Sequence, residues 1–202
     1  MTRCHLRNDR GQTLPIYIWM TGILLFVAFA FFAFAQAASA RNGAQSAADA
    51  AALAAAQDVR DEIADGLGTA IGGDDDWLDW LAGDKFTGAG ARGAADALAA
   101  ANDSTVIGFG LDEVNGYPGF WAEIETSYTV GDSIIPGTES KHAKADATAI
   151  IKPRCDVAPS AAPEKAVEVK CDGGESFEID PEDFELDDLP DASVLFSVHL
   201  AD

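Results

Sequence analysis

The chain has 202 residues, and its 34 Asp and Glu against 13 Lys and Arg give a net charge of −21. This acidic balance argues against nucleic acid and anionic lipid surfaces as partners, because both are bound through positive charge. The roughly 150 residues beyond the N-terminal region are enough for one modest domain with its own core.

An uncharged apolar stretch, Leu14 to Ala35, dominates the N-terminal region. As a helix it would reach about 33 Å, which is enough to cross a hydrocarbon core of about 30 Å. We therefore predict a transmembrane helix over residues 14–35, preceded by a short N-terminus, residues 1–13, whose arginines keep it in the cytoplasm. The protein would be a single-pass protein of the cell membrane, with its C-terminal domain outside the cytoplasm.

A cleaved signal peptide is the alternative interpretation of this stretch. The small residues Ala33-Phe34-Ala35 match an A-x-A cleavage pattern, and the chain would then be a secreted or surface-anchored acidic binding protein. Signal peptides have an apolar region of only about 7 to 15 residues, however, which favours the uncleaved anchor.

An Ala-rich segment, residues 36–68, continues with high helix propensity and should extend the anchor outward. Its apolar residues recur at intervals of three and four, so they form one face small enough for close packing against a partner helix or a sheet. We expect this helix to end near Gly66 or Gly68. The face consists of Ala44, Ala47, Ala48, Ala51, Ala55, Val59 and Ile63.

An α+β exterior domain is expected over residues 69–152. The segment from Trp77 to Leu81 is either a packed helical turn or an exposed apolar patch, and packing is favoured. A second helix, Gly90 to Asn102, carries Ala91, Ala94, Ala95, Leu98 and Ala99 on one side.

The hydrophobic period then changes to two, which indicates a small antiparallel sheet. In the middle strand, Ile124, Tyr128 and Val130 should face the helix, because side chains alternate between the faces of a sheet. The predicted strands are Thr105 to Leu111, Trp121 to Val130 and Ala143 to Ile151.

Residues 153–202 form an acidic C-terminal extension in which short strands flank an acidic loop. We expect this tail to have few ties to the rest of the domain apart from a disulfide between Cys155 and Cys171. Both cysteines lie on the exterior side of the membrane, where the compartment is oxidising, whereas Cys4 lies on the cytoplasmic side and should stay reduced.

The sequence offers no pattern typical of catalysis or of a metal site. None of the three histidines, His5, His142 and His199, has a neighbourhood that suggests a nucleophile and its base. The acidic runs lack the spacing of a calcium loop, although a calcium-responsive adhesin remains an alternative. We expect a protein that is not an enzyme, with no cofactor, no metal and no small-molecule substrate.

The string AQSAADAAALAAA, Ala44 to Ala56, follows a basic N-terminus, a glycine and one membrane helix. In that position it resembles the bacterial Tad/Flp pilus-assembly family, in particular its TadE/TadG-like members. The resemblance extends over about residues 10–60 and, more loosely, to about Ile151. The residues that carry it are Gln45, Asp49, Ala50, Ala51, Leu53 and Ala54.

The resemblance implies a pilin-like fold and a non-enzymatic, membrane-anchored component of a pilus assembly or a related secretion apparatus. The partners would be the membrane and other pilin-like or pilus-assembly proteins, bound by helix packing. Processing would occur after Gly11, although the fifth residue after it is Ile16 rather than the usual Glu. The packing residues would be Gln45, Ala47, Ala48, Asp49, Ala51, Leu53 and Ala55.

Overall fold

The longest element of the protein is one continuous helix, α1, which runs from Thr13 to Ile71 and contains 59 residues. The computed structural model describes residues 13–71, 73, 76–129, 131 and 140–201. The fold class is α+β, as predicted, with a long N-terminal apolar helix, further helices and small antiparallel sheets. Cys4, His5 and Gly11 lie outside the described residues.

Helix α1 ends at Ile71, three residues beyond Gly68, so the predicted end near Gly66 or Gly68 is slightly early. Both glycines lie inside the helix, where they allow other segments to approach its backbone. A Cβ atom on Gly66 would overlap the Trp80 ring, and one on Gly68 would overlap the Leu186 side chain. These two glycines therefore serve as contact points and not as a helix end.

Two further helices pack against α1: α2, Trp77–Leu81, and α3, Ala91–Ala101. Trp77 and Leu81 are buried, so the prediction that this apolar segment is packed is confirmed. In α3 the buried residues are Ala91, Ala95 and Ala99, which recur at every fourth position and form a narrow face. Leu98 was predicted to share this face but is 40% exposed, because it lies to one side of that stripe.

The strands form two antiparallel sheets, one of four strands in the order β1-β2-β3-β7 and one of three in the order β4-β5-β6. The three predicted strands are present: β1 and β3 are longer than expected at both ends, and β2 begins four residues earlier than expected and is described as far as Thr129. A two-residue turn, Asn115-Gly116, joins β1 to β2, and both of its residues have positive φ, as a tight hairpin requires. In chain order the strands are β1 Ser104–Val114, β2 Tyr117–Thr129, β3 His142–Pro153, β4 Cys155–Val157, β5 Val167–Cys171, β6 Ser176–Ile179 and β7 Phe196–Leu200.

The inner face of the four-stranded sheet packs against α1, mainly through β2 and β3. Ile124 is fully buried there, and the Tyr128 hydroxyl lies against Gly43 of α1, so both residues face the helix as predicted. Thr126 is the buried polar residue between them. Its hydroxyl donates to the Tyr128 carbonyl oxygen over 2.8 Å and accepts from the Ala143 amide over 3.1 Å. Val130 lies outside the described residues.

The C-terminal extension is tied to the domain more firmly than the sequence indicated, and the expectation of few ties beyond the disulfide is wrong. Strand β7 pairs with β3, from Ala149 opposite Leu200 to Pro153 opposite Phe196. Leu195 and Phe196 are fully buried, because the short helix α4, Ala192–Leu195, turns this apolar pair into the core. The Trp77 indole also donates to the Pro163 carbonyl oxygen over 2.9 Å.

A leucine at Ala51 should destabilise the domain by about 1 to 3 kcal/mol, because the site is fully buried and has no room for three more carbon atoms. Chemical denaturation of the detergent-solubilised chain, followed by tryptophan fluorescence, measures the change. The same substitution at Ala97, which is exposed on α3, is the matched control and should change stability by less than about 0.5 kcal/mol. Equal effects of the two substitutions would contradict the tight packing of α1.

Candidate membrane anchor and assembly segment

The first part of α1, residues 13–39, projects from the domain and exposes its apolar side chains. Leu14, Phe26 and Phe34 are each at least 65% exposed, and the large apolar residues between them are exposed as well. An apolar surface of this extent is unstable in water and marks a contact with a membrane or with protein. By length and composition, α1 is long and apolar enough to cross a membrane.

Burial on α1 begins with the partly buried Ala30, Ala33 and Gln36 and is nearly complete at Ala40, and the helix continues without a break through this point. From Ala44 onward the helix packs against α3 and the four-stranded sheet. The exposed apolar part and the packed part are therefore two halves of the same helix, so the domain is attached directly to the apolar part without a linker.

The alanines predicted to pack closely against a partner or against the sheet are buried inside their own chain. Ala47, Ala48, Ala51 and Ala55 have no exposed surface, because α3 and the sheet cover them. Leu53 is half-buried at the edge of the same core. A partner helix has no access to these alanines in this fold, whereas the large apolar residues of the first part of α1 are exposed.

Gln45 and Asp49 lie on the surface of α1 and bond to each other. The Gln45 Nε2 atom donates to Asp49 Oδ1 over 2.8 Å and to the backbone oxygen of Asp146 in β3 over 3.3 Å. One turn of helix separates the two residues, so their contact follows from their spacing. Together they connect α1 to β3, and a role of Asp49 in binding a partner stays a prediction.

Carboxylates on the next turns of α1 hold the loop that precedes α3. Glu62 accepts from the Thr87 amide at 2.6 Å and from the Gly88 amide at 2.9 Å. Asp58, one turn earlier, lies against Gly90, the residue before the first turn of α3, where a negative charge is favourable. Sequence reasoning missed both residues, although acids spaced by four on a helix that must pack offered a signal.

Burial alone pushes the pKa of the Glu62 carboxyl upward, but the hydrogen bonds from Thr87 and Gly88 outweigh it. The net pKa of Glu62 therefore lies below its ordinary value. The bonds favour the ionised form because a carboxylate accepts amide protons more strongly than a neutral acid does.

Cys155 and Cys171 are joined by a disulfide between β4 and β5, where they lie directly opposite each other in the strand register. Both cysteines are largely buried. The bridge closes the segment of residues 155–171, which contains β4 and β5 of the three-stranded sheet.

The two histidines within the described residues, His142 and His199, lie in β3 and β7. The His142 Nδ1 atom lies 2.6 Å from the Thr126 carbonyl oxygen, and His199 is an exposed residue of β7. Among the residues that the structure describes, no three His, Cys, Asp or Glu side chains are grouped so that they could hold a metal ion.

Comparison with known protein families finds a match for the N-terminal part of the chain. Residues 11–58 match the family described as Flp pilus-assembly TadE/G-like, which confirms the resemblance over that segment. The match covers the exposed apolar part of α1 and most of its Ala-rich packed part, and it implies a role in pilus assembly. No curated protein and no solved structure matches the chain.

Replacing both Cys155 and Cys171 with alanine should lower the free energy of unfolding by about 3 kcal/mol, because the bridge closes a loop of 16 residues in the unfolded chain. Peptide mapping of the non-reduced, alkylated protein should recover the two cysteines in one linked pair. A reductant should destabilise the wild type and leave the double variant unchanged. Full alkylation of both thiols in protein isolated from its native envelope would contradict the bridge.

Glu62→Gln should cost about 1 kcal/mol of stability at neutral pH, because the neutral amide oxygen accepts more weakly from Thr87 and Gly88. Since the folded-state pKa of Glu62 is lowered, its contribution is fully present above the ordinary Glu value of about 4.3. It is lost as the pH falls through the lowered folded-state pKa, so the difference between wild type and variant should shrink there.

Denaturation of the wild type and the Glu62 variant at a series of pH values from neutral to strongly acidic measures this dependence. Asp65→Asn is the control, because Asp65 is exposed on the next turn of α1 and its side chain makes no hydrogen bond within the described residues. A difference that persists unchanged at the acidic end would show that the Glu62 charge has no part in holding the loop.

Proposed function

We propose that this chain, whose residues 11–58 carry the TadE/G-like segment, is a non-enzymatic, membrane-anchored component of a Tad/Flp pilus assembly or a related secretion apparatus. The observation that carries the proposal is the division of that segment in the structure. Its first part is an exposed apolar helix, and its second part is the central helix of the exterior domain. The segment thus attaches a folded domain rigidly to a membrane-spanning helix.

The proposed orientation places the N-terminus in the cytoplasm and the α+β domain outside it. Arg3, Arg7 and Arg10 precede the apolar stretch, and basic residues beside a membrane helix favour the cytoplasmic side. The disulfide between Cys155 and Cys171 supports an exterior position for the domain, because disulfides persist in oxidising compartments.

The proposed contacts with other assembly proteins lie in the membrane. The small residues of the Ala-rich part of α1 are covered by the domain itself, whereas the large apolar side chains from Leu14 to Phe34 remain exposed. Gly22 adds a point of close approach, since no atom lies within 4 Å of a Cβ built on it. Membrane helices associate through such small residues and through packing of the apolar side chains around them.

A secreted acidic binding protein is the second candidate, and one observation favours it. The core of the domain begins at Ala40, so cleavage after Ala35 would remove no buried residue. The mass of the mature protein separates the two candidates. Detection in washed membranes at a mass that includes residues 14–35 supports the anchor, whereas a shortened chain in the culture medium supports secretion.

The assembly role is tested by complementation of a deletion strain of the native host. The full chain should restore surface pili, whereas residues 36–202 exported behind a cleavable signal peptide should not. A third variant, in which an unrelated apolar helix of equal length replaces residues 14–35, should reach the membrane but assemble poorly. Restoration of pili by the exported domain would contradict the proposal, and equal function of the third variant would contradict specific packing of the span.

A further inference from the structure

The outer face of the four-stranded sheet carries the large aromatic ring of Trp121 in β2. A Cβ atom built on Gly108 would lie 2.8 Å from Trp121 Cζ3, and one built on Gly110 would lie 2.6 Å from Trp121 Nε1. The indole therefore lies flat across β1, over two glycines that leave room for it. Trp121 is half-buried, as expected for a ring that has one face on the sheet and the other toward solvent.

The Glu123 carboxylate lies beside this ring. The Cβ built on Gly108 would also lie 3.1 Å from Glu123 Oε2, so the ring edge and the carboxylate oxygen meet over the same glycine. Glu123 is next to Trp121 on the outer face of β2, two residues along the strand. The pair presents an aromatic face and a negative charge at one place.

A second carboxylate adds an unfavourable charge to this place. Asp146 in β3 is the direct cross-strand partner of Glu123, and like charges in that relation destabilise a sheet. The next pair along the strands shows the usual arrangement, because Glu125 lies opposite Lys144 and binds it at 3.1 Å. Among the described residues, neither Glu123 nor Asp146 makes an ion pair through its side chain. A cation placed between them would relieve the repulsion.

We infer that Trp121, Glu123 and Asp146 form a docking site for an arginine side chain of a partner protein. A guanidinium group stacks on an indole face and forms charge-assisted hydrogen bonds to a carboxylate, so one side chain uses all three residues. A neutral sugar would also stack on the ring but would leave the two carboxylates uncompensated. A metal ion would be held by the two carboxylates and water, and it would leave the indole face unused.

The site is accessible to a protein partner. Apart from its neighbouring strands, the main element that packs on β2 within the described residues is α1, and it covers the opposite, inner face of the sheet. Strand β1 is the edge of the sheet and bears glycines at the two positions beneath the ring. A partner can therefore approach the ring over this edge without meeting a side chain from those positions. The inference does not depend on the pilus-assembly role.

The test uses the full chain, labelled with 5-fluorotryptophan, in neutral polyoxyethylene detergent micelles. The probe is the peptide acetyl-Gly-Arg-Gly-amide, and the comparators are the same peptide with citrulline in place of arginine, and N-acetylglucosamine. The chain has four tryptophans, and Trp121→Leu identifies the ¹⁹F resonance of Trp121. At low ionic strength the arginine peptide should shift this resonance in a saturable manner, and neither comparator should do so.

Glu123→Gln should weaken binding of the arginine peptide by about threefold or more, and Asp146→Asn should weaken it in the same direction. Glu125→Gln is the matched control: it removes the same charge from the same face of β2, but its carboxylate already binds Lys144. This variant should bind as the wild type does. Unchanged resonances of the core residue Trp77 show that each variant is folded.

Several results would overturn the inference. One is the absence of any shift of the Trp121 resonance with the arginine peptide, and another is an equal shift with the citrulline peptide or the sugar. Equal weakening in the Glu123 and Glu125 variants would show a general attraction of basic peptides to a chain of net charge −21 and no specific site.

Discussion

The contact on which the rest of this fold depends is the close approach of α1 to α3 and to the sheet. Alanine is the residue that permits it: seven alanines of α1, from Ala44 to Ala56, are fully buried, and three alanines of α3 lie in the same core. Small side chains bury little apolar area each, so stability must come from many contacts at short distance. Larger residues complete the core. Examples are Ile63 in the later part of α1, Trp77 in α2 and Phe196 in β7.

The sequence predicted the elements with a strong local signal. The helix of α1 follows from its apolar run and its alanines, and the strands around β2 follow from an alternation that the burial of Ile124 matches. The candidate segment was also recognisable, because the string of residues 44–56 carries its resemblance without any knowledge of contacts. These features depend on neighbours in the sequence, which is why a single chain was enough to infer them.

The features that the sequence did not predict depend on contacts between distant residues. Strand β7 lies about 45 residues beyond its partner β3 in the chain, and no local pattern indicates which strand it joins. The end of α1 was predicted slightly early because glycine has two uses, and only the positions of Trp80 and Leu186 show that Gly66 and Gly68 serve close packing. The sequence likewise left open whether the alanine face packs against a partner or against the sheet, and the structure shows that the sheet and α3 cover it.

The unbroken course of α1 from the apolar part into the domain has a consequence for geometry. An α-helix turns by about 100° for each residue. Because α1 is continuous, the orientation of its apolar part about the helix axis determines the direction in which the sheet faces. Adding or removing one residue between Ala35 and Ala40 would keep every core contact and still point the domain a quarter-turn away. The length of the chain between these two residues therefore sets an angle as well as a distance, and a flexible linker would set neither.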